Sequence, residues 1–223
     1  MGLFTGNALK ILAAVCMVLD HVGIMFFPQQ QILRLLGRLA FPIYAYMIAE
    51  GCRYTRSRKR YWGFLFALAM VCQVVYFLFD GTWYFSILVT FSLSIPTIFA
   101  LDYGKTRKDL AGWLPFLGAV AALWVLNENL VIDYGFWGCM APVFASLAVN
   151  TRFDTPVIRI GCFGLGLLAL AMSIGPIQYA ALLALPILLC YNGRRGKWKM
   201  KYFFYIFYPA HLVILQGIAF LMA

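Results

Sequence analysis

The sequence predicts an all-α, polytopic integral membrane protein with about nine transmembrane helices and a cytoplasmic N-terminus. The chain is 64% hydrophobic and only 12% charged, whereas a soluble globular chain is about half apolar and about a quarter charged. Its apolar stretches reach about 20 residues, the length that crosses a bilayer as a helix. Its positive charges lie in short segments between those stretches. The length suits a single transmembrane domain over residues 1–223.

The predicted spans follow one another with short connections. They lie at about 9–27, 32–50, 61–79, 84–101, 111–127, 132–149, 157–174, 176–192 and 202–221. The first four and the last are clear from their apolar character. The sixth carries Asp133 and Gly135 at its start, so a re-entrant segment is an alternative there. One miscounted pair of spans would leave roughly seven or eleven crossings with the same orientation.

The connections alternate between basic and neutral or acidic. The basic residues follow the even-numbered spans: Arg53, Arg56, Arg58, Lys59 and Arg60; Lys105, Arg107 and Lys108; Arg152; and Arg194, Arg195, Lys197, Lys199 and Lys201. The loops on the other side contain Asp80-Gly81-Thr82 and Asn127-Glu128-Asn129. Because basic loops stay in the cytoplasm, the N-terminus is expected inside and the C-terminus outside. The net charge of +10 is therefore explained by the cytoplasmic loops of a multi-pass protein. We expect this protein in the cell inner membrane, in contact with lipid, and we expect no nucleic-acid partner.

The six cysteines are scattered through apolar stretches, without a CxxC pair and without a histidine at metal-ligand spacing. Cysteine in such positions usually behaves as a small apolar residue. Neither a metal site nor a disulfide framework is expected.

A few ionisable residues lie inside the predicted spans. They are Asp20, His21, Arg34, Arg38, Glu50 and His211. A charge at the centre of a membrane helix costs roughly 2.5–3.5 kcal/mol, so such residues usually pair or serve a function. Glu50 is expected to pair with Arg53 or Arg56, near the cytoplasmic end of its helix.

The two histidines have matching predicted depths. His21 is about 16 Å along its helix from Lys10, and His211 is about 15 Å along its helix from Lys201. Both lysines are expected at the cytoplasmic surface. The two imidazole rings are therefore predicted at one level near the bilayer midplane.

Asp20 and His21 cannot face the same point, since adjacent residues on a helix point about 100° apart. We expect His21 to face a cavity and Asp20 to pair across to Arg38 or Lys10. A buried Asp–Arg pair that only fixes helix packing is the structural alternative, as is a histidine that only joins two helices.

The chemistry of this cluster fits more than one function. Histidine is a general base and an acyl acceptor, and arginine binds phosphate or a developing oxyanion. The basic segment 53–60 suits a polyanion such as coenzyme A. These parts fit acyl transfer, and they equally fit a proton-coupled transporter or flippase in which His and Asp relay protons. A non-enzymatic assembly partner of an envelope machine is a third alternative.

Several motifs carry a resemblance to a known family. They are Leu9-Lys10-Ile11 through Met17, Asp20-His21 and Gly23; Leu33-Arg34 through Gly37-Arg38-Leu39-Ala40-Phe41-Pro42 to Ala49-Glu50-Gly51; Thr55-Arg56; Tyr134-Gly135 with Gly138; and Phe207-Tyr208-Pro209-Ala210-His211-Leu212. In these motifs, from end to end, the chain resembles the TraX family.

The resemblance implies a membrane acetyltransferase that uses acetyl-CoA as acyl donor. The name-giving member of the family acetylates the N-terminal amine of a conjugative pilin. An exported peptide, a sugar and a lipid all stay open as the acceptor here. A distant link to the acyltransferase-3 superfamily is also implied, in which an Arg precedes a His on the first span. Here Lys10 and His21 have that spacing, with Lys in place of Arg.

The resemblance and the residue chemistry together assign expected roles. His21 is the base or a transient acyl carrier, and His211 is a second base or orients the acceptor. Asp20 and Arg38 set the charge state of His21 and stabilise the oxyanion. Binding of the coenzyme A part is expected from five basic residues: Lys10, Arg34, Arg53, Arg56 and Arg58.

Overall fold

The structure, a computed structural model, describes residues 2–81, 83–197 and 200–222. Its helices are α1 (Gly6–Met25), α2 (Gln31–Gly37), α3 (Ala40–Tyr54), α4 (Arg58–Asp80), α5 (Ile87–Arg107), α6 (Leu110–Asn129), α7 (Gly135–Ser146), α8 (Pro156–Ile174), a 3-10 helix (Pro176–Leu183), α9 (Ala184–Leu189) and α10 (Lys201–Met222). The predicted all-α fold is confirmed. Two residues of the predicted loop pattern, Thr82 and Lys199, lie outside the described residues.

Six helices in the described ranges are long and apolar enough to cross a membrane. They are α1, the combined segment Gln31–Tyr54 of α2 and α3, α4 over Arg58–Leu78, α5, α6 and α8. The predicted integral membrane class is confirmed by these helices. The count of about nine crossings and the cytoplasmic N-terminus stay predictions.

Two of the predicted spans, the sixth and the eighth, form shorter apolar helical segments. The sixth, at 132–149, contains only the 12-residue α7, which is about 18 Å long against a hydrocarbon core of about 30 Å. The eighth corresponds to the segment Pro176–Leu189, made of the 3-10 helix and α9. The ninth corresponds to the 22-residue α10. A helix as short as α7 does not cross the core by itself, as the Asp133 and Gly135 at its start already indicated.

The chain divides into two compact units. The terminal unit comprises Met1–Tyr44 and Ile174–Ala223, and the central unit comprises Ala45–Ser173. Within the terminal unit α1 packs against α2 and α10, and α2 packs against the 3-10 helix. Within the central unit α5 packs against α4, α6 and α7. The single domain over 1–223 stays a prediction.

Backbone hydrogen bonds join the start of α1 to the segment that follows α9. The backbone N–H of Phe4 donates to the carbonyl of Cys190 at 3.0 Å, and that of Gly6 donates to the carbonyl of Arg194 at 2.8 Å. The hydroxyl of Thr5 caps the helix by accepting from the amide of Ala8. The first amides of a helix have no partner within it, so these contacts satisfy groups that would otherwise need water.

The 3-10 helix has an unusual length for its type. It runs for eight residues, whereas 3-10 runs beyond three or four residues are uncommon because their hydrogen bonds have poorer geometry. It begins after Gly175, whose φ of 129° is open to glycine and strained for other residues. Such stretches often mark functional segments, and this one carries a buried glutamine of the candidate site.

Candidate functional site

Asp20 of α1 is held by two arginines of the α2 region. Arg38 Nη2 donates to Asp20 Oδ2 at 2.5 Å, and Arg34 Nε lies 3.5 Å from Asp20 Oδ1. Asp20 and Arg38 are each only 9% exposed. Arg38 was one of the two partners expected for Asp20. A buried carboxylate needs such charge partners, because leaving one unpaired costs several kcal/mol.

A glycine makes this close approach possible. A Cβ built on Gly37 would overlap Asp20 Cβ and come within 2.5 Å of Asp20 Oδ1. Gly23, about one turn after Asp20 on α1, also allows close packing, because an added Cβ there would lie 2.9 Å from Leu33 Cβ. The two glycines therefore let α1 and α2 pack closely enough for the carboxylate to reach the guanidinium groups.

The two histidines meet, in agreement with their matching predicted depths. The ring centroids of His21 and His211 are 5.1 Å apart, with an interplanar angle of 77°, an edge-to-face arrangement. The ring of His211 also stacks on Phe207, at 5.0 Å and 7°. Aromatic rings favour both geometries, so the imidazoles are held by their neighbours in the terminal unit.

Backbone hydrogen bonds fix the tautomer of both rings. His21 Nδ1 lies 2.8 Å from the carbonyl oxygen of Met17, and His211 Nδ1 lies 2.9 Å from that of Phe207. A carbonyl oxygen only accepts, so each Nδ1 carries the proton and donates it. In the neutral ring, Nε2 is then the basic nitrogen. Each histidine thus has a lone pair available for proton transfer.

The Nε2 atom of His211 has no hydrogen-bond partner within the described part of the chain. His211 is 6% exposed, so little water reaches it in this arrangement. An unsatisfied buried polar atom in a native protein usually indicates a ligand, a water or a catalytic role. The unpaired lone pair of His211 is therefore a candidate contact for a reacting group.

Gln178 of the 3-10 helix contacts Arg38, and it was not among the site residues predicted from the sequence. Its Oε1 accepts a hydrogen bond from Arg38 Nη1 at 3.4 Å, and Gln178 is completely buried. The available signal was a single amide side chain inside the apolar stretch 176–192. Its partner, however, is 140 positions away in the sequence, and periodicity does not indicate such a pairing.

The two coenzyme A candidates of the terminal unit have different surroundings. Arg34 is partly exposed and is engaged with Asp20. Lys10 is half-buried, and its backbone carbonyl accepts from the hydroxyl of Tyr44 at 3.3 Å. Arg34 thus belongs to the same ion-pair cluster as Arg38, a grouping that their i, i+4 spacing on a helix face permits.

The three coenzyme A candidates of the central unit differ in whether a carboxylate pairs with them. Arg53 lies 3.7 Å from Glu50 Oε1 and 3.5 Å from Asp154 Oδ2. Arg58 pairs with Asp102 at 3.2 Å, with its side chain 51% exposed. Arg56 is exposed. Carboxylates therefore already engage Arg53 and Arg58, while Arg56 faces outward.

Glu50 pairs with Arg53, as expected, at 3.7 Å. The structure adds a shorter contact that was not expected, with Arg159 Nη1 at 2.7 Å. Arg56 was the other expected partner, and no ion pair joins it to Glu50 among the described residues. Arg159 lies inside the predicted seventh span, where a charged residue in an apolar stretch indicates a buried partner. Asp154 completes this cluster at 3.2 Å from Arg159 Nε.

The arrangement in the terminal unit combines three chemical functions. Two histidines present basic Nε2 atoms, a paired Asp–Arg couple supplies fixed charge, and a buried glutamine presents an amide. Proton transfer to or from a bound group needs a base at hydrogen-bond distance, and stabilisation of a developing oxyanion needs a fixed donor. The same cluster contains both kinds of group.

Comparisons with known proteins match nearly the whole chain. The family model described as TraX protein matches residues 5–219. A probable fimbrial assembly protein of Dichelobacter nodosus, FimC of serogroup H1, is 26% identical and aligns over 95% of this chain and 94% of its own. Protein TraX of Escherichia coli is 27% identical and aligns over 96% of this chain and 86% of its own. No solved structure matches the chain.

Proposed function

The chain belongs to the TraX family, and from that membership we propose that it is a membrane-bound acetyltransferase. In this proposal an acetyl group passes from cytoplasmic acetyl-CoA to an acceptor at or across the cell inner membrane. Acetyl-CoA is a substrate, and no metal takes part. The name of the FimC relative, a probable fimbrial assembly protein, favours an exported peptide amine as the acceptor over a sugar or lipid.

The observation that carries the proposal is the His21–His211 pair. Both rings are held in the tautomer that leaves Nε2 basic, and their centroids are 5.1 Å apart. A base placed in this way contributes typically about 10²–10⁴-fold to a proton-transfer step. Asp20, which precedes His21 on α1, is paired with Arg38, so the same unit also holds fixed charge. The distant link to the acyltransferase-3 superfamily stays a prediction.

The reaction proceeds by attack of the acceptor on the thioester. The amine nitrogen bonds to the carbonyl carbon while its proton passes to a histidine Nε2, and the carbonyl π electrons move to oxygen. When the carbonyl re-forms, the carbon–sulfur bond breaks, and the coenzyme A thiolate takes the proton back from the imidazolium. His21 acts as this base or first carries the acetyl group on Nε2, and His211 is the second base or orients the acceptor.

The deciding experiment follows free thiol release from acetyl-CoA by purified protein in nanodiscs, with a short peptide amine present and acetyl-CoA binding measured in the same sample. The variants are His21→Asn and His211→Asn, because the Asn amide still donates to the carbonyl four residues earlier but offers no base. Each is expected to lose about 100-fold or more in kcat. Gln216→Ala on the exposed face of α10 is the matched control.

Full activity in both histidine variants would remove the proposed mechanism. Folded wild-type protein that neither binds nor cleaves acetyl-CoA would remove the acetyltransferase proposal. In that case flux driven by a pH gradient in proteoliposomes would test the alternative of a proton-coupled transporter.

A further inference from the structure

Gln178 is buried completely, and only half of its amide is satisfied. Its Oε1 accepts from Arg38 Nη1, and Arg is a donor without acceptor atoms. The oxygen of the amide must therefore face Arg38, and the Nε2 amino group must face away from it. No hydrogen-bond acceptor for this Nε2 exists in the ranges that the structure describes.

A buried amide whose amino group has no hydrogen-bond partner is unfavourable and calls for an explanation. A buried donor without a partner carries the full cost of its desolvation, and most buried polar side-chain atoms in native structures are paired. A methionine of similar shape would avoid the unsatisfied N–H groups in this apolar segment. The simplest resolution is a bound group whose oxygen accepts from Gln178 Nε2.

A second unsatisfied buried atom belongs to His211 of the same terminal unit. Gln178 contacts Arg38, Arg38 contacts Asp20, Asp20 precedes His21 in α1, and His21 contacts His211. The buried Nε2 of His211 is a lone-pair acceptor without a partner among the described residues. The described part of the terminal unit thus holds an unsatisfied buried donor, Gln178 Nε2, and an unsatisfied buried acceptor, His211 Nε2.

We infer that Gln178 Nε2 is the oxyanion donor of the acyl-transfer site and binds the carbonyl oxygen of the acetyl thioester. This inference rests on the proposed function. When the acceptor nitrogen bonds to the carbonyl carbon, the oxygen becomes negative and the Gln178 N–H bond to it strengthens. The proton of the acceptor leaves to a histidine Nε2, and expulsion of the coenzyme A thiolate restores the carbonyl.

Arg38 takes a different role from the one expected from the sequence. Its Nη2 is engaged by Asp20 and its Nη1 by Gln178, so both terminal nitrogens already donate to protein groups. Arg38 is then a positioning residue that sets which face of the Gln178 amide points at the substrate. The glutamine has no partner for its amino hydrogens within the described ranges, so the proposal assigns the oxyanion contact to Gln178.

Two substitutions separate the donor role from a packing role. Gln178→Glu keeps an oxygen toward Arg38 and replaces the amino group with a second oxygen. Gln178→Met keeps the approximate shape and removes both polar atoms. The matched control is Gln73→Met, since Gln73 is a buried glutamine of the central unit whose amide donates to the carbonyl of Tyr84 at 3.0 Å.

The first readout is the carbonyl stretch of bound [1-¹³C]acetyl-CoA, measured by isotope-edited infrared spectroscopy on wild type and variants. A hydrogen bond to the carbonyl oxygen lowers this frequency. We expect a higher frequency in both Gln178 variants than in wild type, and the wild-type frequency in Gln73→Met. This measurement needs binding of acetyl-CoA alone, so it requires no identified acceptor.

The second readout is kinetic. Loss of one oxyanion donor costs about 10²–10³-fold in kcat, while the Kd for coenzyme A without its acetyl group should stay within about threefold, because that ligand lacks the carbonyl. Wild-type frequency and kcat in both Gln178 variants would overturn the inference and leave the acetyltransferase proposal standing. Absence of acetyl-CoA binding by folded wild-type protein would overturn both. Should Gln178→Met fail to fold, Gln178→Glu alone decides, since it retains the contact with Arg38.

Discussion

Arg159 of α8 donates to Glu50 of α3 across 2.7 Å, and both residues are only 7% exposed. Asp154 and Arg53 extend this pair into a cluster of four charges in the central unit. Buried ions are tolerated only when paired, since removal of one partner leaves a charge without compensation. This cluster has every member paired, and we assign it to the folding of the central unit.

Removal of one partner is therefore expected to destabilise the protein. Glu50→Ala should cost about 3–5 kcal/mol of unfolding free energy, because Arg159 then keeps a buried charge with only Asp154 beside it. The double variant Glu50→Met with Arg159→Met should recover most of that loss. Denaturant titration in detergent micelles, arranged as a double-mutant cycle, measures the coupling. Additive losses in the cycle would show that the two residues do not act as a pair.

Gly37→Ala tests the close approach of α1 and α2. The new methyl group would meet Asp20, so the helices must shift at a cost of roughly 1–3 kcal/mol, and acetyl-CoA cleavage should fall with the displaced carboxylate. Gly217→Ala on α10 is the control, since an added Cβ there meets no atom within 4 Å. Helix propensity predicts that this control is neutral or stabilising. Thermal unfolding and thiol release are compared for both. Equal behaviour of the two variants would argue against a packing role for Gly37.

Arg56 and Arg53 should respond differently to neutral substitution. Arg56→Ser is expected to raise the KM for acetyl-CoA several-fold, with a smaller effect at high salt because exposed charges are screened. Arg53→Ser is expected instead to lower the unfolding temperature, since Glu50 and Asp154 lose a partner. Thiol-release kinetics at two ionic strengths and thermal unfolding distinguish the two effects. Arg152→Ser, at another exposed arginine, serves as the control. An unchanged KM in Arg56→Ser would remove that residue from substrate binding.

The two possible roles of His21 predict different intermediates. If His21 carries the acetyl group, protein mixed with radiolabelled acetyl-CoA without acceptor should retain label on a base-labile imidazole. His21→Asn should abolish this label, while His211→Asn should slow its formation or its release. Rapid quench followed by filter binding measures the amount of retained label, and peptide mapping locates the labelled residue. Active wild-type protein that stays unlabelled on the millisecond scale would identify His21 as a base only.

The pairing of Asp20 with Arg38 and the meeting of the histidines were accessible from the sequence for a geometric reason. A helix rises about 1.5 Å per residue, so distance from a basic end converts directly into depth. Depth does not specify partners. Arg159 and Gln178 were each visible as a single polar residue in an apolar span, but they contact Glu50 and Arg38 over 109 and 140 positions. Such pairings depend on which helices pack together.

The number of crossings was less accessible for a different reason. Hydropathy averages over a window of about 19 residues, so it does not separate a spanning helix from a short helix with apolar turns around it. Residues 132–149 satisfy the average, yet α7 ends at Ser146. Lys105 explains part of this ending, because its ammonium donates to the carbonyls of Ser146 and Val149. The predicted loop lysine thus caps a helix.

The histidine pair also constrains how the protein is made. His21 and His211 belong to one compact unit, yet the whole central unit is translated between them. At roughly 5–20 residues per second, the ribosome supplies His211 about 10–40 seconds after His21. The nascent chain can bring Asp20 to Arg38 early, as a local helical hairpin, whereas the imidazole contact waits for the final helix. Premature termination anywhere in the central unit therefore leaves a membrane-inserted product without its second histidine.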